Sequence, residues 1–349
     1  MPDGVLDEAY TRLHHAGPEW GENQLTNHGP MAVEVLVRRG HEADVHRWVD
    51  AYVRRLDDLP APLGVITDDT WREALGDGRR IGDWTAYLSR QAQERPWREL
   101  LAIWWPRLLP GIAAGTTHGV IRVSHAVRAL LAASDGPAVV TELAHALAFW
   151  AARSQAIPAA TEPAGDRDAA AALDAVPRIP SQQGNVATRL GQLPGMPAWR
   201  DALSALRPGA DPDAVRETLA DLVDAASLRY LGYGHTSPVL LVHMATAPNA
   251  VLHTLPALPR ELWAPSLSAA WAATAAIVSA YAPAQPPDRS ALPAAPAGPD
   301  AVPDTVERAV AHGDEHVIKF TDTAVEAYAR KADPDALAAA LRAADLIGH

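Results

Sequence analysis

Apolar residues recur at helical spacing along almost the whole chain, and alternating runs of valine, threonine and aromatics are nearly absent. That pattern restricts the chain to an all-α fold. Helices are expected over 31–39, 41–56, 97–109, 117–133, 138–154, 213–228, 239–247, 261–281, 304–329 and 334–346, within a total of about a dozen. Pro30 suits the first turn of 31–39, and Asp213 is a candidate cap for 213–228. The stretch 239–247 is apolar on every side, so it is expected to be buried. Two segments break the pattern, at about 158–184 and 283–303, and both are rich in proline. Helices of one character flank each of them, so they are read as loop excursions and the chain, 1–349, as one multi-helical domain. No regular repeat of a length that would give a solenoid is present.

Several function classes fall away on composition. A net charge of −12 with no basic run disfavours nucleic acid. No uninterrupted apolar run is long enough to span a membrane; the richest, 262–281, is broken by Pro265, Ser266 and Ser268. The N-terminus, Met1-Pro2-Asp3-Gly4, lacks the basic-then-apolar layout of a signal peptide, so a cytoplasmic location is expected. With no cysteine there is no thiolate metal site, iron–sulfur cluster or cysteine nucleophile, and a metal would need histidine, carboxylate or a less usual ligand. The chain has no glycine-rich dinucleotide or P-loop fingerprint, no Gly-x-Ser-x-Gly elbow and no His-Glu-x-x-His helix. All but two of the 30 basic residues are arginine, and the two lysines are Lys319 and Lys331.

Chemistry is therefore sought among the 14 histidines, several of which lie in apolar helices. In His312-Gly313-Asp314-Glu315-His316-Val317-Ile318-Lys319-Phe320, a continuous helix would put His312, His316 and Lys319 on one face, with Thr323 a turn further on. Burial lowers a lysine's pKa, and a neutral amine can act as a base, a nucleophile or an acceptor of CO2. A solvated helix start is the simpler account of His312, whereas function is favoured for His316 and Lys319. His118, Arg122 and His125 also fall on one helical face, with Gly119 allowing close approach of another group and Arg122 able to hold a carboxylate or substrate oxygen. The alternative there is a polar stripe satisfied inside the core, which is the stronger reading for His125. His243 lies in an apolar helix, where an imidazole needs a metal or a hydrogen bond; His235 stands near the start of that helix as a fallback, as His312 does for His316. His28 precedes a helix start in Leu25-Thr26-Asn27-His28-Gly29-Pro30-Met31. His41 and Asp44 are read as a helix N-terminus and His145 as a core histidine, while His14, His15, His253 and His349 carry no pattern.

Taken in order, these stretches resemble the questin oxidase-like family. The residues that carry the resemblance are 25–31, Gly40-His41 to Trp48, His118-Gly119-Val120-Ile121-Arg122, His125 to Leu130, His243-Met244-Ala245-Thr246 and Asp314 to Thr321. One departure is Ala245, where the family pattern leads to valine before the threonine. The resemblance implies oxidative ring cleavage of a polycyclic aromatic polyketide such as an anthraquinone, described in the family as Baeyer–Villiger-type. It also implies a non-haem iron held by histidines and a carboxylated lysine. Carried over by motif, the ligands are His28, His118, His243, His316 and Lys319, with the carbamate of Lys319 formed from CO2.

The resulting expectation is an Fe(II) oxygenase whose partners are O2 and a small aromatic substrate, with a homodimer allowed and with Lys319, Arg122 and His125 as candidates for catalytic roles. A dioxygenase needs no outside reductant; a Baeyer–Villiger monooxygenase would draw two electrons from NADPH or a partner. The absence of a dinucleotide fold favours the first. Rival readings are a metal hydrolase using the same histidines, a metal-free enzyme with Lys319 as base, and a non-enzymatic helical interaction protein. Trp104, Trp105 and Trp150 could line an aromatic pocket, although core packing is the commoner use of such residues.

Overall fold

The helical period is realised almost throughout, in a computed structural model that describes residues 2–132 and 136–348. The fold is all-α. Among the described residues the strands are a two-residue antiparallel pair, with Glu19 opposite Thr26 and Trp20 opposite Leu25. The Ala133 end expected for one helix, together with Met1 and His349, lies outside the described residues.

Most expected helices appear with shifted ends: Gly29–Arg38, Glu42–Tyr52, Trp97–Leu108, His118–Ala132, Pro137–Ala152, Pro212–Tyr233, Trp263–Tyr281 and Asp335–Leu346. Helices that the apolar spacing did not single out are Pro2–Leu13, Ile81–Glu94 and Pro197–Ser204. Three details differ from expectation. The span 239–247 is broken at Val242 into Pro238–Leu241 and His243–Thr254, and its first residues, Val239 and Leu240, are only half-buried. The cap of Pro212–Tyr233 is Asp211, whose carboxylate accepts from the Ala214 amide at 2.9 Å, and not Asp213. Pro212 has no N–H and occupies the first turn, so the capping position falls on the residue before it. The span 304–329 is two helices, Ala301–His312 and Glu315–Lys331. Gly313 ends the first at φ +80°, a left-handed conformation that glycine adopts without penalty. Asp314 caps the second by accepting from the His316 and Val317 amides at 2.8 and 3.2 Å.

The described residues group into two compact units. The first runs from the N-terminus to Ala156 and includes His253–Pro259; the second comprises Ile157–Leu252 and Arg260–His349. One boundary therefore falls where the first proline-rich excursion begins. That excursion contains a short helix, Ala169–Asp174, capped by Asp168, and Trp199 donates to the Pro158 carbonyl at 3.1 Å. The second excursion is tethered by Arg289, which pairs with Asp335 at 2.6 Å. The apolar helix Trp263–Tyr281 is a core element of the second unit, buried without interruption from Ala270 to Tyr281.

In the first unit, Pro137–Ala152 packs against Ile81–Glu94, His118–Ala132 and Pro2–Leu13, and His118–Ala132 also packs against Gly29–Arg38. The tryptophans named above are core: Trp104 meets Trp71, Trp84 and Tyr87 edge-on, and Trp105 meets Trp150. Two carboxylates are buried among these helices. Glu142 accepts from Arg122 Nε and Nη2 at 2.6 and 2.9 Å and lies 3.1 Å from His14 Nε2. Glu34 is bound by His125 Nδ1 at 2.8 Å and by Arg128 Nε at 2.8 Å, with a further bond from Arg128 Nη2. Both pairings clamp the His118–Ala132 helix to a neighbour.

Burial alone would raise both carboxyls. The charge of Arg128, with His125, overcomes it at Glu34, and the charge and hydrogen bonds of Arg122, with His14, overcome it at Glu142, so each is held at about 2 against an ordinary 4.5. A depressed folded value means the stabilisation is present above 4.5 and is lost as pH falls towards 2. The thermal midpoint is therefore expected to drop steadily on acidification through that window, as read by circular dichroism. Glu142→Ala, which leaves the Arg122 charge buried without its partner, is expected to cost about 3–5 kcal/mol in denaturant unfolding at neutral pH. A flat acid limb or a near-neutral variant would contradict this account.

Candidate metal centre

Within the first unit, His28 and His118 stack with ring centroids 4.4 Å apart and an interplanar angle of 25°. Both are buried. His28 stands immediately before the Gly29–Arg38 helix, where its carbonyl accepts from the Met31 and Ala32 amides at 3.0 Å. Its own amide donates to the Tyr52 hydroxyl at 2.6 Å. Asn27 shapes the approach, accepting from the Gly29 amide and donating to the Gly17 carbonyl, both at 2.9 Å.

His118 is positioned by an unusual turn. Gly115, Thr116 and Thr117 have φ of +52°, +57° and +71°, three consecutive left-handed residues of which two are β-branched. That conformation costs roughly 1–2 kcal/mol at each non-glycine residue. The turn aims the Gly115 carbonyl at His118, which donates to it from the backbone N–H at 3.3 Å and from ring Nδ1. A carbonyl can only accept, so Nδ1 carries the proton and the ring lone pair lies on Nε2, the arrangement of a metal-binding imidazole steadied through its other nitrogen. Gly119 permits the close approach expected of it, because a Cβ there would come within 2.8 Å of the Trp150 ring. Gly119→Ala is expected to cost about 1–3 kcal/mol by overpacking, seen as a lower thermal midpoint. An unchanged midpoint would mean that Trp150 does not constrain this helix.

Within the second unit, His243 and His316 approach edge to face with centroids 6.2 Å apart. His243 begins the His243–Thr254 helix, one residue after the single-turn helix Pro238–Leu241, and is buried. His316 and Lys319 lie three residues apart on Glu315–Lys331, both buried. His316 Nδ1 is 3.3 Å from Asp314 Oδ1. Burial opposes the charge on Asp314, but the His316 contact and the two amides it caps outweigh burial and hold its carboxyl at about 2. Burial pulls the Lys319 ammonium down to about 8, partly offset by Glu315 and Asp314, so the neutral amine is far more accessible than in an ordinary lysine. Asn249 ties the two helices together, donating to Thr323 Oγ1 at 3.3 Å and to Glu326 at 3.0 Å, and Thr323 in turn donates to the Lys319 carbonyl at 3.3 Å.

The two fallback histidines behave differently. The break at Gly313 takes His312 off the helix of His316, so the shared face inferred from continuous spacing does not form; His312 Nε2 instead lies 2.9 Å from the Ile347 carbonyl. His235 is exposed at the end of Pro212–Tyr233, with Nδ1 3.0 Å from the Gly232 carbonyl. Arg122 and His125 each have a buried carboxylate partner, Glu142 and Glu34, as described above. His145, expected in the core, is half-buried beside His14, with centroids 4.8 Å apart; burial of the ring, and then the charge of His14, push it down to about 3. Sequence reasoning passed over His14 and the partners Glu34 and Glu142. An isolated glutamate in an apolar helix was the available signal, since a buried carboxylate requires a cation.

No curated protein and no solved structure matches this chain. The questin oxidase-like family model matches residues 39–323. That span holds His118, His243, His316 and Lys319 and leaves His28 outside it. A match over this much of the chain places it in the questin oxidase-like family.

Proposed function

We propose that this chain is an iron-dependent oxygenase that uses O2 to cleave a ring C–C bond of a polycyclic aromatic polyketide such as an anthraquinone, by a dioxygenase route. Family membership supports an oxidoreductase. The observation that carries the finer reading is Lys319, an amine buried in an apolar helix one turn from the buried imidazole of His316, where burial lowers its pKa. The donor set suits iron: imidazoles that can be neutral ligands, and an amine able to become an anionic oxygen donor. His28, His118, His243, His316 and carboxylated Lys319 are the residues proposed to hold it. Iron so held supplies the redox couple and the coordination position that dioxygen chemistry needs.

The chain's own residues have definable tasks. The neutral Lys319 amine would add to CO2: the N–C bond forms as one C=O π bond of CO2 opens onto oxygen, the nitrogen passes one proton to water, and the product is a carbamate with charge −1. The carbamate, like the ammonium, is costly to bury alone, and a bound cation would neutralise it. The Gly115 carbonyl keeps the proton of His118 on Nδ1. Asp314 steadies His316 from the capping position of the same helix. Burial of all five residues excludes bulk water, which would otherwise compete for reactive species.

Oxygen uptake with an anthraquinone, run without any nicotinamide, is the direct test. The expected result is consumption of O2 matched to substrate lost, with both atoms of labelled dioxygen in the product. Turnover without O2 uptake would favour the hydrolase, and strict dependence on NADPH the monooxygenase. Lys319→Arg cannot form the carbamate and is expected to lower turnover by at least about a hundredfold while the chain stays folded. Activity near that of the unaltered chain would contradict the role given to Lys319.

A further inference from the structure

A second site is suggested by charge. Despite its net charge of −12, the chain places three guanidinium groups, Arg178, Arg229 and Arg289, around one cleft in the second unit. The cleft has a volume of about 430 Å³, within the roughly 300–1,000 Å³ of small-molecule sites. None of His243, His316 and Lys319 lines it.

The three arginines are not equivalent. Arg229 is bidentate to Asp174, with both bonds at 2.8 Å. Arg289 is bidentate to Asp335 at 2.9 and 2.6 Å. Each of these charges is matched by its own carboxylate. Arg178 is held by neutral groups, donating from Nη1 to the Val176 carbonyl at 2.6 Å and from Nε to the Pro283 carbonyl at 3.0 Å. Its guanidinium is thus oriented in advance; among the described residues no carboxylate pairs with it, and its bonds are made by Nε and Nη1, which leaves Nη2 for a ligand. The same group lies 5.5 Å from the centre of the Tyr233 ring. Asp174 and Asp335 line the cleft beside the arginines they neutralise, which leaves Arg178 as the excess charge, and Leu228, Leu231, Pro286, Pro287 and Leu292 form its apolar wall. Gly232 allows the proline wall to sit close to the helix, since a Cβ there would meet Pro286 at 3.0 Å.

An oriented guanidinium recognises a carboxylate, and flat apolar walls beside a tyrosine ring recognise an aromatic face. We propose that this cleft binds a planar aromatic carboxylate, with the carboxylate on Arg178 and the ring between Tyr233 and Pro286–Pro287. The proposal stands independently of the iron reading.

Titration of the full chain with 2-naphthoate by calorimetry, beside 2-naphthamide and inorganic phosphate, tests it. The expected result is saturable binding of naphthoate, with the neutral amide and phosphate each binding at least about tenfold more weakly, a difference of ~1.4 kcal/mol. Arg178→Gln is expected to weaken naphthoate by a similar factor and leave oxygenase turnover unchanged. Because Arg178 also ties two backbone carbonyls, Leu292→Asp serves as a second variant that places a repelling charge in the lining without touching those bonds, and the same loss is expected. Equal binding of acid and amide, phosphate binding as tight as naphthoate, or naphthoate affinity indifferent to both variants would overturn the proposal.

Discussion

A carboxylate taken out of water into a helical core must meet a cation there, and much of the first unit is arranged around that requirement. Glu34 and Glu142 come from the Gly29–Arg38 and Pro137–Ala152 helices, and both are answered from one helix, His118–Ala132, by Arg128 with His125 and by Arg122. The polar face of that helix is therefore fixed on two sides. Its first residue is His118, so the same pairings set where the imidazole stands. Arg122 and His125, which spacing alone offered as reactive groups, are held in place by these partners.

Left-handed turns then define how the histidines are presented. At Gly115-Thr116-Thr117 the backbone accepts a conformation that threonine resists, and a carbonyl lands on His118 Nδ1. At Gly313 the same conformation comes without strain, ends one helix, and lets Asp314 begin the next beneath His316. Strain at the first turn and none at the second is what the residue types dictate. Strain of this kind persists only where surrounding packing over-determines it, and here Phe149 and Trp150 close on Gly115 and Gly119.

The all-α class was legible because the helical period dominates, and the buried His243, His316 and Lys319 were legible because polar residues inside apolar helices need a reason. The helix break was legible in principle: glycine followed by aspartate is a stop followed by a cap, but reading 304–329 as one periodic run hid it. Helix Ile81–Glu94 was missed because its buried positions are interleaved with polar ones, among them Asp83, which is satisfied by amides of Leu63 and Gly64 at 2.6 and 2.9 Å. The partners of Glu34 and Glu142 were hidden by distance along the chain, 94 residues for Arg128 and 20 for Arg122. Local periodicity says that a buried charge needs a partner; only the fold says which one.

The central claim is that buried imidazoles and Lys319 hold one iron. Elemental analysis of protein purified without chelator, for the unaltered chain and for His316→Ala, tests it most directly. The account predicts about one iron per chain, lost in the variant while its helical content is kept. Zinc in place of iron, no metal in either protein, or iron retained undiminished by His316→Ala would contradict it.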